Sequence, residues 1–319
     1  MSPPRIAVVG SYATGLTMKV QRLPSPGETL LGSGYRVDYG GKGSNQAVGC
    51  ARLGAKVSFV AKIGKDSFAE MALGLYREEG IDVSHVQQTD TAPTGVGFIV
   101  VEAATGRNCI VLDAGANELL SPSDVERSDG ALHHAAVVLT QLEIPVAAAE
   151  AALSQGRRQG AITILNPAPV RPLPAAVLAA VDVLTPNETE AKALVGQSLD
   201  VAMEPDKIAR ELMAHGVKHV VMTLGEKGAL LATAGCVSYV PAMPMAAVDT
   251  TGAGDAFNAG LATALAYGAE LTPAVEFAVV TGGLAVTKEG VIPSLPRRDE
   301  VMNFYRGRGL QLPSWLSGE

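Results

Sequence analysis

One stretch constrains this chain more than any other: Asp249-Thr250-Thr251-Gly252-Ala253-Gly254-Asp255-Ala256-Phe257-Asn258-Ala259-Gly260. Upstream, residues 237–240 and 245–248 read as short extended segments. Downstream, residues 256–267 carry apolar side chains at helical spacing. Gly252, Ala253 and Gly254, with almost no side chain among them, open straight onto that helix. The first turn of a helix has unpartnered N–H groups and partial positive charge, so a phosphate fits against it. Asp255 beside a phosphate makes a poor ligand but a suitable base for a hydroxyl attacking that phosphate. Asp is also favoured as a plain helix cap, and this stretch alone leaves both readings open.

The chain has 319 residues, 47% of them hydrophobic and 18% charged, which suits a large α/β core and excludes disorder. A net charge of −7, with no cluster of Lys and Arg, argues against nucleic acid as a partner. The apolar run at residues 5–10 is too short for a signal peptide, and no later run has membrane-span length. Cys50, Cys109 and Cys236 are odd in number and far apart, as expected of reduced thiols in a cytoplasm.

In order, residues 5–10 read as a buried strand turning at Gly10-Ser11. Residues 17–38 alternate in short segments around the Pro24-Ser25-Pro26-Gly27 turn, a β excursion from the main sheet. Gly40-Gly41-Lys42-Gly43-Ser44-Asn45 then leads into helical spacing over 46–53. It is not a Walker A, because Lys42 is followed by Gly43. It is either a close backbone approach to a small polar ligand, with Lys42 and Asn45 as donors, or a strand-to-helix turn capped by Asn45. A second β excursion, 95–102 and 107–113, flanks a hairpin turn at Ala103-Ala104-Thr105-Gly106. If the two excursions pair, they form a small sheet placed to cover a site.

Strands over 56–64, 136–141, 161–165, 181–185 and 219–223 alternate with helices over 66–80, 145–159, 174–180, 188–195 and 206–215. That rhythm predicts a parallel sheet with functional residues at the strand ends, such as Glu143, Asn166, Asn187 and Thr223. Zinc and thiol-redox patterns are missing, as is the dinucleotide G-x-G-x-x-G. Asn187 and Glu190, one helical turn apart, suit either a hydrated Mg²⁺ or a capping box. Thr223-Leu224-Gly225-Glu226-Lys227-Gly228 suits either a hairpin turn or a backbone contact to a nucleotide.

Taken together and in this order, these segments resemble the ribokinase or phosphofructokinase-B family of carbohydrate kinases, most closely the ribokinases. The resemblance runs from about Arg5 to Pro296 and rests on GGKGSNQAVGCARLG (40–54) and DTTGAGDAFNAG (249–260). TPNETEA (185–191), NPAP (166–169), PSPGET (24–29) and DAGAN (113–117) add to it. It implies one α/β domain over 1–319, with a mostly parallel central sheet flanked by helices and a small β-sheet lid from about 15–38 and 94–113. By the same resemblance, Asp255 is the catalytic base, and Gly252, Ala253 and Gly254 form an anion hole. The sugar meets Gly41, Lys42, Asn45, Glu143 and Asp255. ATP lies along Asn187, Thr223, Gly225, Glu226, Lys227, Gly228 and Gly254. Mg²⁺ is held through water near Asn187 and Glu190, and K⁺ by Asp249, Thr251, Ala285, Lys288, Gly290 and Ser294. Paired lids make a homodimer.

The implied reaction is ATP-dependent phosphorylation of a sugar's primary hydroxyl, with D-ribose as first acceptor. One departure bears on the acceptor. Ribokinases show Gly-Ser-x-Asn-x-Asp after the first strand, whereas this chain has Gly10-Ser11-Tyr12-Ala13-Thr14-Gly15. Either ribose is still accepted with a neighbouring side chain compensating, or another sugar or a nucleoside replaces it, with Tyr12 or Thr14 making new contacts. A sugar-responsive binding protein without turnover is the alternative from a different class.

Overall fold

In strand β1 (Arg5–Val9), Ile6 and Val8 pack into an apolar layer on one side, Ala7 and Val9 into a layer on the other. Side chains of a strand alternate between faces, so a strand apolar throughout must be covered on both. Burying Ile6, Val8 and Val9 contributes roughly 1.5–3 kcal/mol each. The computed structural model describes residues 2–198, 200 and 204–317.

Among these, the strands are β1, β2 (Ala13–Val20), β3 (Ser33–Gly40), β4 (Lys56–Gly64), β5 (Val86–Thr89), β6 (Gly95–Glu102) and β7 (Asn108–Asp113). They continue with β8 (Val137–Thr140), β9 (Ile162–Leu165), β10 (Val183–Leu184), β11 (His219–Thr223), β12 (Ala229–Ala232) and β13 (Val237–Val240). The main sheet runs β13-β12-β11-β10-β9-β8-β1-β4-β5, parallel except for β12, which is antiparallel to both its neighbours. Helices cover both faces, giving three layers with a mostly parallel sheet in the middle. Helices Lys42–Arg52, Ala253–Ala266 and Leu271–Ala285 lie on one side; Val146–Arg158 and Pro205–Ala214 lie on the other.

The second sheet runs β3-β2-β6-β7 and joins both β excursions through a parallel β2–β6 pair. Its register sets Asp38 opposite Gly15 and Gly15 opposite Gly97; one row along, Gly40 faces Ala13 and Ala13 faces Gly95.

Several expectations need correction. The helices expected from 46 and 256 start earlier, at Lys42 and Ala253, so both glycine-rich stretches run into the first helical turns. Residues 245–248 form no strand. Tyr12 is fully buried, with its ring edge-on to Tyr76 and its hydroxyl 3.1 Å from Thr14 Oγ1. Tyr12 and Thr14 therefore satisfy each other in the core and do not reach a ligand. Burial, partly offset by the Thr14 bond, pushes the Tyr12 phenol up to about 12. No helix among the described residues is long and apolar enough to cross a membrane.

Candidate active site

Gly252 begins the Ala253–Ala266 helix at φ 82°, a left-handed conformation that glycine adopts without steric cost. The chain turns there from the Asp249 loop and enters the helix with no side chain capping its first N–H groups. Asp255 follows within that first turn and is only 6% exposed. Its Oδ2 accepts a hydrogen bond from Asn45 Nδ2 at 2.8 Å and its Oδ1 one from Gln46 Nε2 at 3.0 Å. Both donors lie on the Lys42–Arg52 helix, about 210 residues away in sequence. Asn45 Oδ1, by contrast, is buried without a partner. A buried acceptor left unsatisfied costs about 1–3 kcal/mol, which a donor such as a hydroxyl would relieve.

The donors are themselves held. Gln141 Nε2 donates to Gln46 Oε1 at 2.5 Å, and Gln46 Nε2 also donates to Asn166 Oδ1 at 3.1 Å. Asn166 Nδ2 donates to the Thr185 carbonyl at 3.1 Å, and Thr185 Oγ1 to Asn258 Oδ1 at 2.6 Å. Asn258 Nδ2 closes the chain on the Gly254 carbonyl at 2.8 Å. Gln141, Asn166 and Thr185 each follow a central strand, β8, β9 and β10. The network thus ties the carboxyl ends of these strands to the helix carrying Asp255, where open α/β sheets place their ligands.

Gly41 caps the Lys42–Arg52 helix at φ 87°; a Cβ there would lie 2.7 Å from Tyr12 Cα. That close approach brings the Lys42 N–H within 2.8 Å of Glu143 Oε2, which also accepts from Ser11 Oγ at 2.6 Å. Burial pushes the Lys42 ammonium down, but the carboxylates of Asp255, Glu143 and Glu190 outweigh it, leaving the group above the ordinary lysine value. Burial also raises the Glu190 carboxyl, against the Asn187 N–H and the Lys42 charge.

Two cavities meet here. The smaller, about 200 Å³, is lined by Lys42, Asn187, Glu190, Gly252, Asp255 and Asn258, among others. The larger, about 720 Å³, runs from Gly225, Glu226, Lys227 and Gly228 to an apolar wall that includes Met243, Met245, Phe257 and Val286. Thr223 and Gly254 line both. A polar chamber opening into a larger, partly apolar one matches a phosphate chain attached to a flat base.

Lys42, Asn45 and Asp255 come together directly, and Gly41 and Glu143 join them through the Lys42 N–H. Asn187 and Glu190 form a reciprocal capping box at 2.8 Å in each direction, so the capping reading describes their hydrogen bonds. Both also line the polar chamber, where Glu190 keeps a second carboxylate oxygen. One such oxygen with few neighbours fits a water-mediated hold on Mg²⁺ better than direct ligation. Residues 223–228 likewise form a hairpin turn between β11 and β12 while lining the larger cavity.

Asp249 joins two loops, accepting from the Thr251 N–H at 2.9 Å and the Gly290 N–H at 3.0 Å. Ala285 and Lys288 are linked by a backbone bond of 3.3 Å, and the buried Ser294 donates to the Val291 carbonyl at 2.8 Å. The Asp249 carboxylate thus ties residues 249–251 to Gly290, and no cluster of three His, Cys, Asp or Glu occurs among the described residues.

The sequence reading passed over Gln46, Asn258 and the methionine wall. Gln46 and Asn258 stand inside the two glycine-rich stretches, which was the available signal. Met243 and Met245 stand in a segment with no periodicity.

An anion-binding helix start, a held carboxylate and a two-chambered cleft are the parts of a phosphoryl-transfer enzyme. The chain belongs to the pfkB family of carbohydrate kinases, whose profile matches residues 3–298. It is accordingly a phosphotransferase acting on carbohydrate. Its relatives include the ribokinase of Haemophilus influenzae, 38% identical over 301 residues, covering 94% of this chain and 97% of that one. The deoxyribokinase of Salmonella typhimurium is 35% identical over 300 residues, covering 94% and 98%. In fold, the chain matches Arabidopsis thaliana ribokinase complexed with ribose and ATP at a TM-score of 0.87. That pair is 30% identical, with 94% and 98% covered.

Proposed function

We propose that this protein transfers the γ-phosphoryl group of ATP to the primary hydroxyl of ribose, giving ribose 5-phosphate and ADP. The observation that carries this is the Asp255 carboxylate, fixed by two amide donors where the polar chamber meets the helix start. Asp255 takes the proton of the sugar hydroxyl as its oxygen bonds to γ-phosphorus. The bond from that phosphorus to the β-phosphate oxygen breaks, and the electron pair leaves with ADP. The N–H groups at Gly252, Ala253 and Gly254 face the charge on the transferred group, and Lys42 adds a fixed positive charge.

The nucleotide lies along Thr223, Gly225–Lys227 and Gly228, its base against the methionine wall. Asn187 and Glu190 would hold Mg²⁺ through water; when bound, it neutralises phosphate charge. The Asp249, Thr251, Ala285, Lys288, Gly290 and Ser294 set would hold K⁺ behind the anion hole.

A second reading, 2-deoxyribose as acceptor, is favoured by Ala13 and Gly15, which offer no polar side chain. The test is ADP release from Mg-ATP across ribose, 2-deoxyribose, other pentoses, fructose and nucleosides, with K⁺ or with a large organic cation. Ribose is expected to give the highest kcat/KM, with faster turnover in K⁺. A higher value for 2-deoxyribose would transfer the assignment to that sugar. Silence across the panel would remove the kinase reading and leave a sugar-responsive binding protein.

The chain works as one catalytic unit over residues 1–319, with the four-stranded sheet as its lid and a homodimer formed through paired lids. Among the described residues, eight of the eleven exposed large hydrophobic side chains lie on the lid, including Leu31, Tyr35, Phe98, Ile110 and Val111. Of these, Val37, Phe98 and Val111 lie in one row across the sheet and share its outer face, opposite the face that carries Asp38, and exposed apolar side chains gathered on one face mark an interaction surface. Sedimentation velocity should show a dimer that Val111→Lys dissociates; a wild-type monomer at micromolar concentration would end this reading. Its compartment is the cytoplasm, where Cys109 and Cys236, exposed and unpaired, stay reduced.

A further inference from the structure

The lid carries a bare floor with one carboxylate on it. Side chains on a sheet face repeat every second residue, and directly paired residues share a face. Asp38 therefore shares its face with Gly15 and Gly97 in its own row, and with Gly40, Ala13 and Gly95 in the next. Those five offer nothing larger than a methyl group, so the space beside Asp38 is bounded by their neighbours: Leu112 closes the row beyond Gly97, Ile99 Cδ1 stands 3.5 Å from where a Gly15 Cβ would be, and Asn117 Nδ2 stands 2.6 Å from where a Gly95 Cβ would be. Arg36, two residues back on the same face, donates to Glu289 at 3.3 Å. Glu289 adjoins Gly290, whose N–H holds Asp249 in the loop leading to Gly252. This lid face is therefore turned towards the catalytic loop, and β3 itself runs through Gly40 and Gly41 into Lys42.

We propose that Asp38 is the residue that reads the sugar's ring hydroxyls, supplied from β3 across the bare floor of β2. The assignment rests on the sugar-kinase reading above. A carboxylate accepts at both oxygens, and two neighbouring ring hydroxyls present two donors at matching spacing. Asp38 has that capacity to spare, because its present bonds are long: 3.5 Å from Thr17 Oγ1 and 3.6 Å from Arg36 Nε. The position also explains how the chain dispenses with a polar side chain at residue 15. An ideal Cβ on Gly15 would lie 3.7 Å from Asp38 Cβ, so carboxylates at the two positions address the same space.

The test is steady-state kinetics with ribose, 2-deoxyribose and ATP varied in turn, alongside calorimetric titration of ribose. Asp38→Ala is expected to raise the ribose KM and Kd by about 10–100-fold, the range for losing charge-assisted hydrogen bonds. The KM for ATP should stay within about twofold, and the preference for ribose over 2-deoxyribose should shrink. Gly15→Asp placed in the Asp38→Ala background is expected to recover most of the loss. It has room to do so, since its Cβ would make only ordinary contacts, the nearest 3.5 Å from Ile99 Cδ1. Should the Ala variant misfold, Asp38→Asn keeps the size and one acceptor, and an intermediate loss is expected. A wild-type ribose KM in a folded Asp38→Ala protein would overturn the assignment while leaving the kinase reading intact. Equal rises in the ribose and ATP KM, without rescue by Gly15→Asp, would also overturn it. A wild-type protein that phosphorylates no sugar would remove both.

Discussion

Asp255→Asn is expected to lower kcat about 10²–10⁴-fold, the range for loss of a general base, with ATP and sugar binding kept within a few-fold. Asn matches Asp in size, so the helix start and both chambers keep their shape. The chemistry changes in two ways. An amide cannot take the hydroxyl proton as the phosphoryl group transfers. Its NH₂ also meets a donor wherever it turns, since Asn45 Nδ2 and Gln46 Nε2 occupy both carboxylate oxygens. With Asn45 held as it is, the variant loses one buried hydrogen bond as well as the base, about 1–3 kcal/mol of stability; an Asn45 amide that turns its unpartnered Oδ1 to accept would recover it. Single-turnover phosphoryl transfer with calorimetric ATP and sugar titrations would separate the two effects. Turnover like the wild type would sink the assignment of Asp255.

Gly252→Ala should be nearly as damaging, by a different route. At φ 82° an alanine is strained, and its Cβ would lie 2.8 Å from Val291 Cγ1. The turn has to open, and the N–H groups proposed to face the transferred phosphoryl move with it. Removing one preorganised donor of this kind costs roughly 10²–10³ in kcat, so a loss of that order is expected. The sugar contacts proposed for Asn45 and Lys42 lie on another helix, so the sugar KM should change little. Stopped-flow rates beside a melting curve would test this. A fall in melting temperature with unchanged kcat would show that Gly252 serves folding alone.

The parts of this architecture that show in the sequence are those with a period. β4 and β11 stand where the apolar runs predict, because strands buried mostly on both faces keep an apolar signature even where Ser58 and Lys62 interrupt it. The starts of the two helices that carry Asn45 and Asp255 did not show. Glycines at Gly41 and Gly252, both at positive φ, suppress helical patterning where the helix begins. The Leu271–Ala285 helix passed unread because it is apolar on nearly every side, so no amphipathic stripe marks it. Asn45 and Asp255 were legible as candidates through their glycine-rich surroundings. Their hydrogen bond was not, since nothing local links partners on two separate helices. Tyr12 was misplaced for the opposite reason: a polar tip beside a glycine turn looks available until its hydroxyl finds Thr14 inside the core.

The bond between Asn45 and Asp255 spans 210 residues, and that between Ser11 and Glu143 spans 132. A fragment holding both halves of the first pair must span residues 45–255, about two thirds of the chain. The reactive centre is therefore a property of the finished topology: a partly folded chain holds a glycine turn, a base and an amide, but no catalyst. Inactivation by denaturant should coincide with the global transition rather than precede it, which makes turnover a reporter of how much of the population is native.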